Sequence, residues 1–206
     1  DKTEVTYDEY EDFFFAGVPT ANQIAECSWN PNWTPGTNWP MGDSRRPVVG
    51  VNWCQAYGYC QWRGKRLCGR FGGGANDFAD YADHTQSQSM NACSANGTNA
   101  FPYGQTFNAD ACNTQTANTI EVQTLQGTPI TTSGCEGGSP ALWQMSGNVR
   151  EWEDSCDGAN GAADNCRLRG GSHLTSDSDE AALRCNAADA GARNLVAPDI
   201  GFRCCI

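Results

Sequence analysis

Three stretches of the C-terminal half set apolar and aromatic positions among glycine turns and cysteines, and the rest of the chain is arranged around them. The first stretch, 141–152, is apolar at Leu142, Met145, Val149 and Trp152 and polar at Asn148 and Glu151, next to Gly147. The second, 167–172, reads RLRGGS, and the third, 201–205, reads GFRCC. This pattern predicts weak strand character over 141–152 and a core strand over 168–173. It also predicts a strand entry at 183–185 and a last strand over 200–205. Cys204 and Cys205 are adjacent in that last strand, so they should point to opposite sides and take separate, distant partners.

The N-terminal half predicts helices. Residues 3–15 read as a short strand running into a helix, with Thr6 as the cap, Glu9 three residues on as in a capping box, and Tyr10, Phe13 and Phe14 on one face. Asn52 can cap a second helix whose inner face is Trp53, Ala56, Tyr57 and Cys60, and Gly64 ends it. Cys54 and Cys60 lie too far apart around that helix to bond each other. Asp77, Phe78 and Tyr81 begin a short helix, and 83–100 read as polar loop. The stretch 17–47 is loop, with Pro19, Pro31, Pro35, Pro40 and Pro47 around Trp29, Trp33 and Trp39. Those tryptophans either anchor an irregular cover or line a groove. Residues 114–140 read as loop or edge strand, 153–166 and 186–199 as loops, and 174–184 as an exposed polar loop.

Composition narrows the picture. The 206 residues suffice for one domain spanning 1–206, and seven tryptophans, six tyrosines and eight phenylalanines can fill its core. Net charge is -11 with 13 basic residues and no basic stripe, which argues against nucleic acid and anionic membranes as partners. No apolar run reaches the length of a membrane span. The chain starts abruptly in structured-looking sequence, as a cleaved or truncated precursor would. Twelve cysteines are spread along it: Cys27, Cys54, Cys60, Cys68, Cys93, Cys112, Cys135, Cys156, Cys166, Cys185, Cys204 and Cys205. With no CxxC spacing and two histidines, up to six disulfides in an oxidising compartment is a better reading than zinc. Their connectivity stays open.

Candidate chemistry is sparse. Gly72-Gly73-Gly74 lacks the lysine and the strand–turn–helix context of a phosphate loop. Residues 108–113 cluster amide and carboxylate oxygens, suiting calcium or a plain Asx-turn. His84 and His173 are far apart, and His173 reads as packed or pocket-lining. Asp177, Asp179 and Glu180 form an acidic set whose simplest role is hydration.

In sequence order, EVTYDEY, PVVGVNWCQAYGYCQW followed by KRL, FPYG with NADACN, MSGNVREW, RLRGGS and GFRCC resemble the formylglycine-generating enzyme/sulfatase-modifying factor family. The middle departs from it, with RLCGRFGGGANDFADYA in place of the family's RLPTEAEWEYA. The resemblance implies an α+β variant of the C-type-lectin-like fold, low in regular secondary structure and here disulfide-rich. It implies calcium held by Asn148, the carbonyl of Val149 and Glu151, and a second ion at Asn113. The competing role for Glu151 is a salt bridge to Arg169 or Arg203. The family's enzymes hold Cu(I) on two cysteines, three and eight residues after the serine of RGGS. Those positions are Thr175 and Glu180 here, hard ligands that cannot replace thiolates, so no copper is expected. Ser172 keeps the place of the pocket serine, and Cys185 should pair with Cys204 or Cys205.

The resulting expectation is a non-catalytic module, secreted, periplasmic or on the cell surface. It would recognise a polar ligand, glycan or protein, through loops 173–198, with Ser172, His173, Thr175, Asp177, Asp179 and Glu180 as contacts. The alternatives are a copper-dependent oxidase of protein cysteine, a structural or adhesion component of a surface assembly, and a retroelement-diversified variable protein.

Overall fold

A computed structural model describes residues 1–36, 39, 45–122 and 135–206. Helix α1 (Tyr7–Phe15) begins where Thr6 and Glu9 close a reciprocal capping box. It buries Tyr7, Tyr10 and Phe13. Helix α2 (Trp53–Trp62) is capped the same way by Asn52 and Gln55, and Gly64 leaves it with φ +69°. Tyr57 lies at the edge of its inner face, and Tyr59 takes the central place. Tyr59 stacks on Tyr10 at 5.7 Å and meets Phe202 edge-on at 5.4 Å, so both helices pack onto the C-terminal strands.

Those strands are β2 (Arg150–Cys156), β3 (Asn165–Arg169), β4 (Ala190–Ala192) and β5 (Ile200–Phe202), which follow the short β1 (Arg66–Leu67). They form one sheet in the order β4-β3-β2-β5, with β2 antiparallel to β3 and parallel to β5. The final pair, β6 (Cys204–Cys205), lies antiparallel to β1. Two indoles fasten the sheet to α2 and to the strand-like segment before it. Trp152 donates to the carbonyl of Val51, and Trp53 to that of Glu153, both at 2.9 Å.

Several elements differ from expectation. Strand β2 starts at Arg150, not at 141, because the backbone of 141–149 bonds to distant segments instead of to a ladder. Ala141, Gln144 and Asn148 have positive φ, Gly147 N–H donates to Gly170, and Asn148 N–H to Asn113. Strand β3 stops at Arg169 because Gly170 and Gly171 turn to φ +87° and +64°. A Cβ on Gly170 would sit 2.6 Å from the carbonyl oxygen of Met145. The expected strand entry at 183–185 is instead the end of helix α4 (Glu180–Leu183), capped by Asp179. Helix α3 (Gln88–Cys93), capped by Ser87, occupies the expected polar loop, and Asp77 caps the short 3-10 helix Phe78–Ala82. The edge strand allowed within 114–140 falls largely on residues outside the described ones, as does Pro40.

All twelve cysteines are paired: Cys27–Cys54, Cys60–Cys204, Cys68–Cys205, Cys93–Cys185, Cys112–Cys135 and Cys156–Cys166. Cys204 and Cys205 take separate distant partners, as their adjacency required. Cys185 does not join them: its N–H donates to Ala100, which holds it beside α3 and Cys93. The bridges from Cys204 and Cys205 span 144 and 137 residues, so each removes much chain entropy from the unfolded state, on the order of 4–5 kcal/mol in a loop-closure model.

Strand β2 carries adjacent acids. Glu153, fully buried, accepts from the Ser87 hydroxyl and lies 3.5 Å from Arg169. Burial, then the neighbouring Glu153, pushes the Asp154 carboxyl up to about 6. A carboxyl with a raised folded pKa weakens the fold as pH rises from its unfolded value of about 4 through that point. Asp154→Asn should therefore raise Tm at pH 7, by a stabilisation of about 3 kcal/mol at most, and leave it unchanged near pH 3.5. Calorimetry at the two pH values checks this.

Candidate functional site

Two arrangements gather the polar residues singled out in the sequence. The first is a buried junction at Asn148, whose φ of +57° turns its side chain into the interior. Its Nδ2 donates to both carboxyl oxygens of Glu4 at 3.1 and 2.9 Å. Its Oδ1 accepts from the Ile120 N–H at 2.8 Å and from Asn113 Nδ2 at 3.1 Å. Its carbonyl accepts the His173 N–H and lies 2.9 Å from His173 Nδ1. A carbonyl cannot donate, so that contact requires the proton on Nδ1. Burial, reinforced by the charge of Glu151, holds the Glu4 carboxyl well above the usual carboxylate range.

Glu151 is taken by Arg203, whose Nε lies 2.6 Å from Oε2 and whose Nη2 reaches Oε1. Of the two arginines weighed for Glu151, Arg203 is the partner. Arg169 faces Glu153 and donates to the carbonyl of Cys185 at 2.7 Å.

The Asn148 and Glu151 side chains do not fit a calcium ion in this arrangement. Asn148 Oδ1 already faces two N–H donors, and both Glu151 oxygens face a guanidinium. Asn113 Oδ1 accepts a single bond, from Thr116 at 2.7 Å, and keeps its second lone pair. Donors aimed at an oxygen exclude a cation from the same lone pairs. The 108–113 cluster is an Asx-turn, with the Asp110 N–H on Asn108 Oδ1. Among the described residues, no three His, Cys, Asp or Glu side chains gather as a metal centre.

The second arrangement is an open groove of about 550 Å3 between the RGGS turn, α4 and the segment 187–189. Arg150 sits in its wall, giving Nε and Nη2 to Asp199 at 3.0 Å and Nη1 to Asp189 at 3.1 Å. The Ser172 hydroxyl donates to Asp199 at 2.9 Å, and its N–H bonds to Thr175 Oγ at 2.9 Å. Burial pushes the Asp199 carboxyl upward, but the Arg150 and Ser172 hydrogen bonds outweigh it and leave the group below its ordinary value.

Of the expected contacts, Ser172, Thr175 and Asp179 line this groove. The others lie elsewhere. His173 turns inward to Asn148, Asp177 accepts the Thr114 hydroxyl at 2.6 Å, and Glu180 stands exposed in the first turn of α4. Sequence reasoning missed Arg150, Asp189 and Asp199. Asp199 lies one residue beyond the expected loops, and Arg150 was visible only as a letter of GNVREW. The residues do not fit a Cu(I) dithiolate either. Thr175 and Glu180 stand at the two positions, no cysteine is free, and Cys185 is bridged to Cys93.

The fold and groove define a small α+β domain held by disulfides, with irregular polar loops around a four-stranded sheet. The model of the sulfatase-modifying factor enzyme 1-like domain matches residues 1–206, and the chain belongs to that family. Among solved structures, CarF is 18% identical with a TM-score of 0.57, the match covering 98% of this chain and 83% of that one. PvdO from Pseudomonas aeruginosa is 18% identical with a TM-score of 0.58, covering 98% and 77%. Treponema denticola variable protein 1 is 17% identical with a TM-score of 0.47, covering 97% and 80%. No curated protein matches. At these identities CarF and PvdO attest the fold alone.

Two measurements check the site. Asn148→Ala should cost about 2–4 kcal/mol, since it leaves the buried Glu4 carboxyl with only the Val149 N–H and takes the partner from the Ile120 N–H. The loss in Tm should be equal in calcium and in chelator. A thiol reagent added to the unfolded, unreduced chain should titrate no cysteine.

Proposed function

We propose that this chain is a non-catalytic extracellular binding module that takes a polar ligand in the Arg150–Ser172–Asp199 groove. The observation that carries this reading is the groove's chemistry. Where the family resemblance places two copper-binding thiolates, the groove offers hydroxyls, carboxylates and one guanidinium already held by Asp189 and Asp199. Nothing there is poised as a nucleophile or base. Ser172 gives its proton to Asp199, whose pKa is lowered, so the serine is a positioned hydrogen-bond donor.

Three aspartates line the groove with one arginine, which pairs with Asp189 and Asp199 while Asp179 caps α4, so a basic protein surface suits the groove better than a neutral glycan. The disulfides support an oxidising location, secreted, periplasmic or on a cell surface. They also hold the loops rigid, which lowers the entropy lost on binding. Among the described residues no helix is long and apolar enough to cross a membrane.

A library of Lys/Arg-rich peptides and a glycan array, each probed with labelled protein, test the reading. Basic peptides should bind, more weakly as salt rises. Ala188→Trp should block binding by filling the groove, and Asp189→Asn should weaken it about threefold. Signals confined to the glycans, and lost in Ala188→Trp, would move the ligand class to sugar. Formylglycine formation from a cysteine peptide with Cu(I) would sink the non-catalytic reading.

A further inference from the structure

A separate cavity of about 310 Å3 lies between the 18–27 segment and α2, sharing no residue with the groove. Its floor is the Trp33 indole, lying against Gly58 in the middle of α2. A Cβ on Gly58 would come within 2.5 Å of that ring. A helix-interior glycine costs about 1 kcal/mol relative to alanine, and here it lets the indole lie flat on the helix. Trp33 is held from behind by its Nε1–H bond to the Val18 carbonyl at 2.7 Å and by an edge contact with Phe13 at 5.0 Å. Tyr57 and Trp62 add two more ring walls. The Cys27–Cys54 disulfide crosses from the 18–27 segment to the helix, so the width of the cavity is set before anything enters.

No charged side chain lines this cavity, in a chain with 24 acidic and 13 basic residues. What lines it besides rings and aliphatic carbons are neutral hydrogen-bonding heads. Asn22 and Gln61 carry exposed amides, and Tyr57 carries a half-buried hydroxyl. These three heads make no hydrogen bond among the described residues, whereas Gln23 beside them is fully engaged by Thr20 and Asn30.

An apolar plug would cover three unsatisfied polar heads, each at a cost. A charged ligand would enter with no counter-charge in the lining itself, since Glu26 and Asp154 act on the Tyr57 hydroxyl from outside that lining. A ring with apolar faces and a rim of hydroxyls satisfies both the indole floor and the amide rim, because each hydroxyl donates and accepts as amides do. The volume sits at the low end of small-molecule sites, roughly 300–1,000 Å3, and suits one or two sugar rings. We propose that this cavity is a binding site for a neutral hexopyranose, stacked on the Trp33–Tyr57–Trp62 walls and hydrogen-bonded by Asn22, Gln61 and the Tyr57 hydroxyl.

The test uses the whole chain with methyl glucopyranoside, galactopyranoside and mannopyranoside as probes, read by saturation-transfer NMR and tryptophan fluorescence. At least one probe should receive saturation and perturb the indole emission. Asn22→Ala/Gln61→Ala changes two exposed side chains and should leave Tm unchanged while weakening the sugar about tenfold or more. Ala188→Trp, which fills the other groove, should leave the sugar unaffected. This separates failure of the sugar site from failure of the basic-ligand reading. The proposal falls if all three glycosides stay silent up to their solubility limit. It also falls if the double variant binds them as well as the parent, if Ala188→Trp abolishes them, or if indole binds the cavity while the sugars do not.

Discussion

The side-chain amide of Asn148 is the point at which this fold closes. Its nitrogen holds Glu4 near the start of the chain, and its oxygen holds the 113–120 loop, while its carbonyl holds the turn that follows RGGS. In a domain with long sheets, ladder hydrogen bonds would bring such segments together. Here the regular elements are few and short, and one buried amide joins three irregular segments. A buried donor or acceptor left unmade costs more than the net value of a made one. The junction therefore acts as a condition on the whole arrangement: either all its bonds form together, or the interior carries several orphaned polar groups at once.

Glu151 and Arg203 complete that condition beside it. Both are buried, and each would be costly alone. Their pairing ties the GNVREW segment to GFR across the parallel β2–β5 edge, where Glu151 sits opposite Gly201. The same pairing explains why these oxygens are poor calcium ligands. The chemistry that makes an Asn and a Glu good metal donors also makes them good partners for N–H groups and guanidinium. In this chain the protein supplies the cations and donors itself.

The groove and the cavity divide the polar chemistry of the surface. Carboxylates and the one guanidinium collect around Ser172, on turns made possible by Gly170 and Gly171. Neutral amides and aromatic faces collect against α2, on a wall made possible by Gly58. Rigid disulfides adjoin both: Cys93–Cys185 near the groove, and Cys27–Cys54 in the wall of the cavity. Loops without ladder bonds can keep a shape this way, because the cross-links and the aromatic core restrict them from opposite sides.

The sequence by itself determined what depends on neighbours a few residues apart. The caps of α1 and α2 were legible because Thr6 with Glu9 and Asn52 with Gln55 act across three residues. The ordered motifs were enough for the family, and the even cysteine count for a cross-linked chain. Tertiary structure alone decided what depends on distance through space. The partners of Asn148 lie 28, 35 and 144 residues away, so no local pattern could show that its oxygen was already occupied. Cys185 chose Cys93 over the C-terminal pair because α3 passes beside it, a neighbour 92 residues distant. Arg150 and Asp199 came together only when β2 and β5 paired in parallel, and Asp189 joined them only when β4 paired with β3. A capping bond is set by local dihedral angles, whereas a buried amide, a disulfide and a groove are set by where the chain returns after a long excursion.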